Sequence, residues 1–306
     1  MSHSHHHDHG TENVSDAALL WAVGLNVGLS VFEGVAGALA GSVALYADAL
    51  HNFNDCAALL IAYFARRIGR ARPDARYTFG RRRAELVGAL INLTALIVVG
   101  LFLIKTAVMR FASPVEPLGG WIMIASLIAL VVDVGTVVLL WSMSKGGLNI
   151  RAAFVHNLTD ALASLAVLGG GAAIYWRGWN WVDPAISLLI GGYVLFTSFG
   201  MMRQTAHILM EGAPDHLDLD HLCVAVEHLD GVENIHHLHV WQLDEHHTAL
   251  EAHIVVQANQ LPQGHALLER VRTLLEQKFD ITHATLELET SAHPCGSTER
   301  YPAHHH

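Results

Sequence analysis

The chain has 306 residues, of which 52% are apolar and only 15% charged, with a mean hydropathy of +0.34 and a formal net charge of -10. A balance this apolar excludes an ordinary soluble domain and a disordered chain, and it points to a membrane protein. Three cysteines without CxxC spacing exclude a disulfide framework and a thiolate zinc finger, whereas the 23 histidines outnumber the 18 lysines and arginines.

Residues 1–16 form a polar tail carrying His3, His5, His6, His7 and His9. It has no lysine or arginine and no small-residue cleavage site, so the first hydrophobic segment is expected to stay as a helix and not to be removed as a signal peptide. The tail reads as a native metal-sensing or metal-buffering segment or as part of an expression tag. For His304, His305 and His306, within the flexible tail 293–306, the tag reading is preferred.

Residues 17–205 contain six apolar stretches, at about 17–38, 43–65, 84–108, 119–142, 152–175 and 183–203. Each approaches the roughly 20 residues that a membrane-spanning helix needs. The joint after the second carries eight arginines, Arg66, Arg67, Arg70, Arg72, Arg76, Arg81, Arg82 and Arg83. Lys145, Arg151 and Arg203 lie on the same side, against Lys105, Arg110 and Arg177 on the other, which predicts that both termini are cytoplasmic. On a joint between two membrane spans, an arginine run of this kind is a topology signal and not a nucleic-acid patch.

From about residue 210 the character changes. Sixteen acidic residues and four basic ones follow from Glu211 onward, and no apolar run is long enough to span. Periodicity predicts helices at 217–229 and 263–279 and strands at 232–243, 248–257 and 283–290. This order, αββαβ, implies a small α+β cytoplasmic domain over 210–292, a ferredoxin- or metallochaperone-like sandwich with helices on one sheet face.

Between residues 10 and 206 only two histidines occur, and each stands four residues before an aspartate: His51-Asn-Phe-Asn-Asp55 and His156-Asn-Leu-Thr-Asp160. Four residues is about one helical turn, so each pair projects from one helix face, and two such helices together present two imidazoles and two carboxylates. That donor set suits a tetrahedral Zn²⁺ site, with Cd²⁺ and Co²⁺ as further candidates. Residues that merely join helices are usually neutral, because an ionisable group at bilayer depth costs at least about 2.5 kcal/mol. Asp48, on the same face as His51, together with Asn52 and Asn157, is expected to steer the ion or to hydrogen-bond its ligands. Cys56 reads as a small buried apolar residue. Glu33 and Asp133 are read either as proton-relay or entry groups or as interhelical hydrogen-bonding partners.

In the tail, strand parity places Leu238 and Val240 on one face against His237, His239 and Trp241 on the other. The same alternation sets Leu250, Ala252, Ile254 and Val256 against Glu251 and His253, and Ala284, Leu286 and Leu288 against His283, Thr285, Glu287 and Glu289. A face holding His239, His253, His283 and Glu289 reads as a further metal-binding surface, with His265 and Cys295 as possible additional ligands.

Six spans, the two HxxxD pairs, the run from Ser42 to His51, the Tyr77-Thr78-Phe79-Gly80 motif and His239-Val240-Trp241 together resemble the cation diffusion facilitators, above all the bacterial zinc/cadmium/cobalt exporters and their zinc-transporting relatives. The resemblance covers the whole chain apart from its termini. It implies a homodimeric antiporter of the inner (plasma) membrane that exports divalent metal, zinc first, in exchange for protons. It further implies a transport site at His51, Asp55, His156 and Asp160, a cytoplasmic site near His236, and metal in the tail that locks the dimer and biases the membrane half. Many relatives carry a long His-rich loop between spans four and five, where this chain has only Ser144–Asn149. Two rival classes remain: a membrane-bound metal sensor without transport, and an intramembrane zinc protease. The protease is disfavoured by the absence of HExxH and by a site with no position open for water.

Overall fold

The computed structural model describes residues 16–143, 148–292 and 299–301, with side chains given outside 16–23, 25, 139–143 and 148–157. The N-terminal histidines, Cys295 and His304–His306 lie outside the described residues, as do the side chains of His156 and Asn157. Two compact units are present. One comprises the chain up to Ile61 together with Asn92–Phe199, and the other comprises Ala62–Ile91 together with the chain from Gly200.

Six long helices make up the N-terminal two thirds: α1 (Asp16–Ala40), α2 (Val43–Gly69), α3 (Ala84–Ala112), α4 (Gly119–Met143), α5 (Leu148–Arg177) and α6 (Val182–Leu209). Among the described residues, four segments are long and apolar enough to cross a membrane, within α3, α4, α5 and α6. Asp48, His51 and Asp55 fall in the first half of α2 and lower its apolarity. The helices outrun the apolar stretches that announce them: α2 continues through Arg66 and Arg67, and α6 through Arg203. Hydrogen bonding sustains a helix past the point where hydrophobicity stops, so the membrane limit and the helix limit differ.

Close backbone contacts set the helix packing. A Cβ added at Gly171 of α5 would sit 2.8 Å from Ile122 Cγ2, and one at Gly119 would sit 2.7 Å from the Tyr175 nitrogen. Only glycine lets α4 and α5 approach this closely, as small residues do between membrane helices generally. The α1–α2 corner turns on Gly41 at φ +67, a conformation that glycine adopts without strain.

In the second unit, Ala62–Ile91 contributes a tight turn. Asp74 Oδ1 accepts the backbone N–H groups of Arg76 and Tyr77, and Asp74 Oδ2 accepts from Arg81 at 2.8 Å. Arg81 lies over the Tyr77 ring at 4.6 Å. Arg82 reaches Asp244 at 3.5 Å, Arg83 reaches Glu211 at 3.3 Å, and the Phe79 ring meets the His283 edge at 5.4 Å. The arginine joint and the Tyr77–Gly80 motif therefore pack on the tail domain.

That domain runs α7 (Leu219–Glu227), β1 (Val232–Gln242), β2 (Thr248–Val256), α8 (Gly264–Phe279) and β3 (His283–Thr290). The sheet order is β1-β2-β3, with β1–β2 antiparallel and β2–β3 parallel, so that α8 supplies the crossover. Asp218 caps α7 by accepting the His221 N–H at 3.0 Å. Leu267, Val271 and Leu275 line one stripe of α8 and pack on Leu250, Ile254 and Leu286 from the sheet.

Strand β1 is not regular. His236 pairs with His253 but His239 pairs with Glu251, so one extra residue is accommodated between them, and His237 takes φ +52. A bulge of this kind reverses parity. Both Ile235 and Leu238 consequently face the core, and His236 turns to the opposite face from the one that strict alternation with Leu238 and Val240 assigns it. The bulge amides are satisfied by the end of the chain: His237 N–H donates to the Glu299 carbonyl at 3.1 Å and Leu238 N–H to the Arg300 carbonyl at 2.9 Å. Arg300 itself pairs with Asp220 and Glu227 of α7.

Candidate metal sites

In the helical unit, His51 and Asp55 project from successive turns of α2, and Asp160 approaches from α5. His51 Nε2 lies 3.7 Å from Asp55 Oδ2 and 3.6 Å from Asp160 Oδ1. A tetrahedral zinc with bonds near 2.1 Å holds its donors about 3.4 Å apart, close to both His51 separations, and one donor atom from each of the three residues lies within 4.8 Å of the others. The group is half-buried, with side-chain exposures of 20% for His51, 28% for Asp55 and 11% for Asp160.

The other intramembrane polar residues form a network beside this group. Ser164 Oγ donates to Asp133 Oδ2 at 2.7 Å and lies 3.2 Å from Asp48 Oδ2, and all three are buried. Asn52 donates to Glu33 Oε2 at 3.1 Å, so its amide is engaged by α1 and not by the ligands beside it. Cys56 is buried at 4% exposure. Ser164, which ties the α2 and α4 carboxylates together from α5, is conspicuous in the fold but carries no sequence signal beyond sitting one turn after Asp160.

The second cluster lies on the sheet face of the tail. His236 Nε2 is 3.4 Å from Glu289 Oε2, His253 Nδ1 is 2.6 Å from Glu289 Oε1, and His253 Nε2 is 3.6 Å from Glu287 Oε2. His236 and Glu289 are almost wholly buried, at 3% and 7% exposure. Burial is the largest influence on the His236 ring and holds it below its usual 6.5; Glu289 opposes this, while His253 and His237 reinforce it. A neutral imidazole is the form that binds metal. His237 stacks on His253 with centroids 4.5 Å apart, and His239 meets His237 at 5.2 Å, which places His239 at the margin of the cluster. His283 stands instead against Phe79 near the start of β3, and His265 is exposed on α8; the structure brings neither into the group. Glu287 joins through His253, its register partner across the β2–β3 pair.

Comparison with known proteins agrees with this two-part layout. The cation efflux transmembrane domain matches residues 19–210, and the cation efflux protein cytoplasmic domain matches residues 214–291. The chain is similar to a cadmium, cobalt and zinc/H⁺-K⁺ antiporter of Bacillus velezensis, with 32% identity covering 100% of this chain and 99% of that one. It is also similar to the zinc transporter ZitB of Escherichia coli, at 34% identity covering 96% and 94%. The cation efflux system protein CzcD of an Alcaligenes species is 32% identical, covering 96% and 92%. The protein is therefore a multi-pass membrane transporter, not an enzyme, and it belongs to the cation diffusion facilitator family of cation efflux proteins.

Proposed function

We propose that the chain exports zinc from the cytoplasm in exchange for protons, with cadmium and cobalt as further cargo, through a four-ligand site made by His51, Asp55, His156 and Asp160. The observation that carries this is the convergence of His51, Asp55 and Asp160 from two helices, with donor atoms 3.6 and 3.7 Å apart. His156 stands one turn before Asp160 in the same HNxxD spacing as His51 before Asp55, which makes it the fourth ligand. The names of the relatives support the choice of metal and of proton coupling.

Imidazoles and carboxylates bind zinc only when deprotonated, so metal and protons compete for one set of atoms. On the cytoplasmic side zinc displaces protons. Once the helices expose the site to the more acidic exterior, protons return and the metal leaves. Zinc is also proposed to bind the tail at His236, His253 and Glu289, where it regulates transport and stabilises a homodimer.

The chain divides into an N-terminal tail over 1–16, a transmembrane domain over 17–205, a regulatory domain over 210–292 and a C-terminal tail over 293–306. It sits in the inner membrane with both termini in the cytoplasm, on the evidence of the arginine joint. Trp121, Trp176, Trp179 and Trp181, exposed around the opposite helix ends, act as interfacial anchors.

Zinc flux into proteoliposomes, with and without an imposed proton gradient, tests the reading. Gradient-stimulated flux lost in His51→Ala supports it. Zinc binding without flux under any gradient refutes it and leaves a metal sensor.

A further inference from the structure

Asp183 takes no part in the mechanism above, yet it is a carboxylate only 4% exposed in the first turn of α6. It reaches 140 residues back along the chain to the start of α2. Its Oδ2 accepts the Val43 N–H at 2.8 Å, and its Oδ1 accepts the Ala44 N–H at 3.3 Å and the Ser42 hydroxyl. Ser42 Oγ in turn accepts the Leu45 N–H at 3.1 Å. The first amides of a helix have no partner inside it. Here Val43, Ala44 and Leu45 are all satisfied by side chains, two of them by a group on a different helix. The negative charge also lies where the helix dipole favours it.

The first two turns of α2 beyond this cap are held just as firmly. Val43, Ala44, Leu45, Ala47, Asp48 and Ala49 are each at most 4% exposed, and the Ser42 N–H donates to the Gly37 carbonyl at 3.0 Å. His51 comes eight residues after Val43, about 12 Å further along the axis. Over so short a helical stretch, buried on all but the Tyr46 side, a slide or rotation at the capped end carries through to His51 and Asp55.

We propose that Asp183 is a positioning residue for transport: by capping α2 from α6 it fixes the depth and rotation of α2, and so the place where His51 and Asp55 meet Asp160. The proposal rests on reading those three residues as the transport site. A cavity of about 110 Å³ beside Asp183, lined also by Gly41, Arg110 and Trp181, defines the rival role, that of a charge on the ion's path.

The test uses the full chain with Cys223→Ser and Cys295→Ser, leaving Cys56, buried beside Asp55, as the only thiol. Asp183→Ala is expected to raise the KM for zinc in proteoliposome flux by about tenfold or more, as loss of a ligand-orienting contact does. It should also speed labelling of Cys56 by N-ethylmaleimide several-fold. Asp183→Asn keeps an acceptor for the α2 amides and should recover most of both effects. If Asp183→Ala does not fold, Ser42→Ala replaces it, with smaller rises in KM and labelling expected and unchanged values overturning the proposal. The proposal is also overturned if Asp183→Ala matches its parent in KM and labelling, or if Asp183→Asn is as impaired as Asp183→Ala while Cys56 stays protected. His51→Ala in the same background separates the two readings: flux lost there with Asp183→Ala unaffected defeats only the positioning role, whereas normal flux in His51→Ala defeats the transport site itself.

Discussion

Asp160→Asn removes one negative donor while keeping the shape of the side chain, so its effect isolates the ligand from the packing. Asp160 Oδ1 lies 3.6 Å from His51 Nε2, near the donor separation of a tetrahedral zinc site. Losing a residue that merely orients a metal ligand typically weakens affinity 10- to 100-fold, about 1.4 to 2.7 kcal/mol, and a direct ligand should cost at least the upper figure. If KM rises about 100-fold, a rate measured at the parent's KM falls from half-maximal to about 1% of maximal, roughly a 50-fold loss. Zinc-sensitive dye trapped in proteoliposomes reads this directly, and a full zinc titration separates KM from maximal rate. Asp160→Glu, which restores the charge on a longer arm, should recover part of the affinity. An Asp160→Asn protein whose KM stays within threefold of the parent would refute the assignment of His51, Asp55 and Asp160 to the cargo.

Three further outcomes are expected. His253→Ala removes a ring shared between Glu289 and Glu287, and it should raise the zinc concentration needed for activation more than it lowers maximal flux; complete loss of flux would contradict a regulatory role. Because burial holds His236 below 6.5 in the fold, its proton binds the unfolded chain first as pH falls below that value. Its contribution to stability is then intact above pH 6.5 and is lost between 6.5 and the lower folded pKa, and His236→Asn should flatten the pH dependence of tail unfolding followed by circular dichroism. Gly171→Ala places a methyl 2.8 Å from Ile122 Cγ2, an overpacking worth about 1–3 kcal/mol that a lowered melting temperature in detergent would register.

The helices and strands were legible because their periodicities are local. Six apolar stretches announce α1–α6, and alternation from Thr248 to Val256 announces β2. The HNxxD repeat was legible for the same reason: four residues make a turn, and His51, Asp55 and Asp160 are in fact brought together. Strand parity read from Leu238 and Val240 does not extend upstream through the bulge at His237, which turns His236 toward His253, so His236 was reachable only through family resemblance. The ends of α2 and α6 lie a turn or more beyond their apolar stretches because polar residues continue the helix past the hydrophobic run. Asn52 sits next to a proposed ligand in sequence, but about 100° of helix rotation delivers it to Glu33 instead. The Asp183 contact joins residues 140 apart, and no local pattern encodes it.

The polar network around the site also bears on the proposed exchange of one cation for another. Among the described residues, Glu33 accepts from Asn52 and also hydrogen-bonds Asp48, while Ser164 serves Asp48 and Asp133, and no lysine or arginine joins these contacts. Asp55 and Asp160 stand beside the His51 imidazole, to which His156 is proposed to add a second. Uncompensated negative charge at bilayer depth costs several kcal/mol per group, far more than one hydroxyl or amide returns. On the proposed mechanism, a helical unit built in this way is neutralised by cations from outside the chain, the metal cargo and protons. Each makes room for the other, because either one alone neutralises the same buried charge. Under the proposed exchange, coupling needs no dedicated device beyond the atoms for which metal and protons compete.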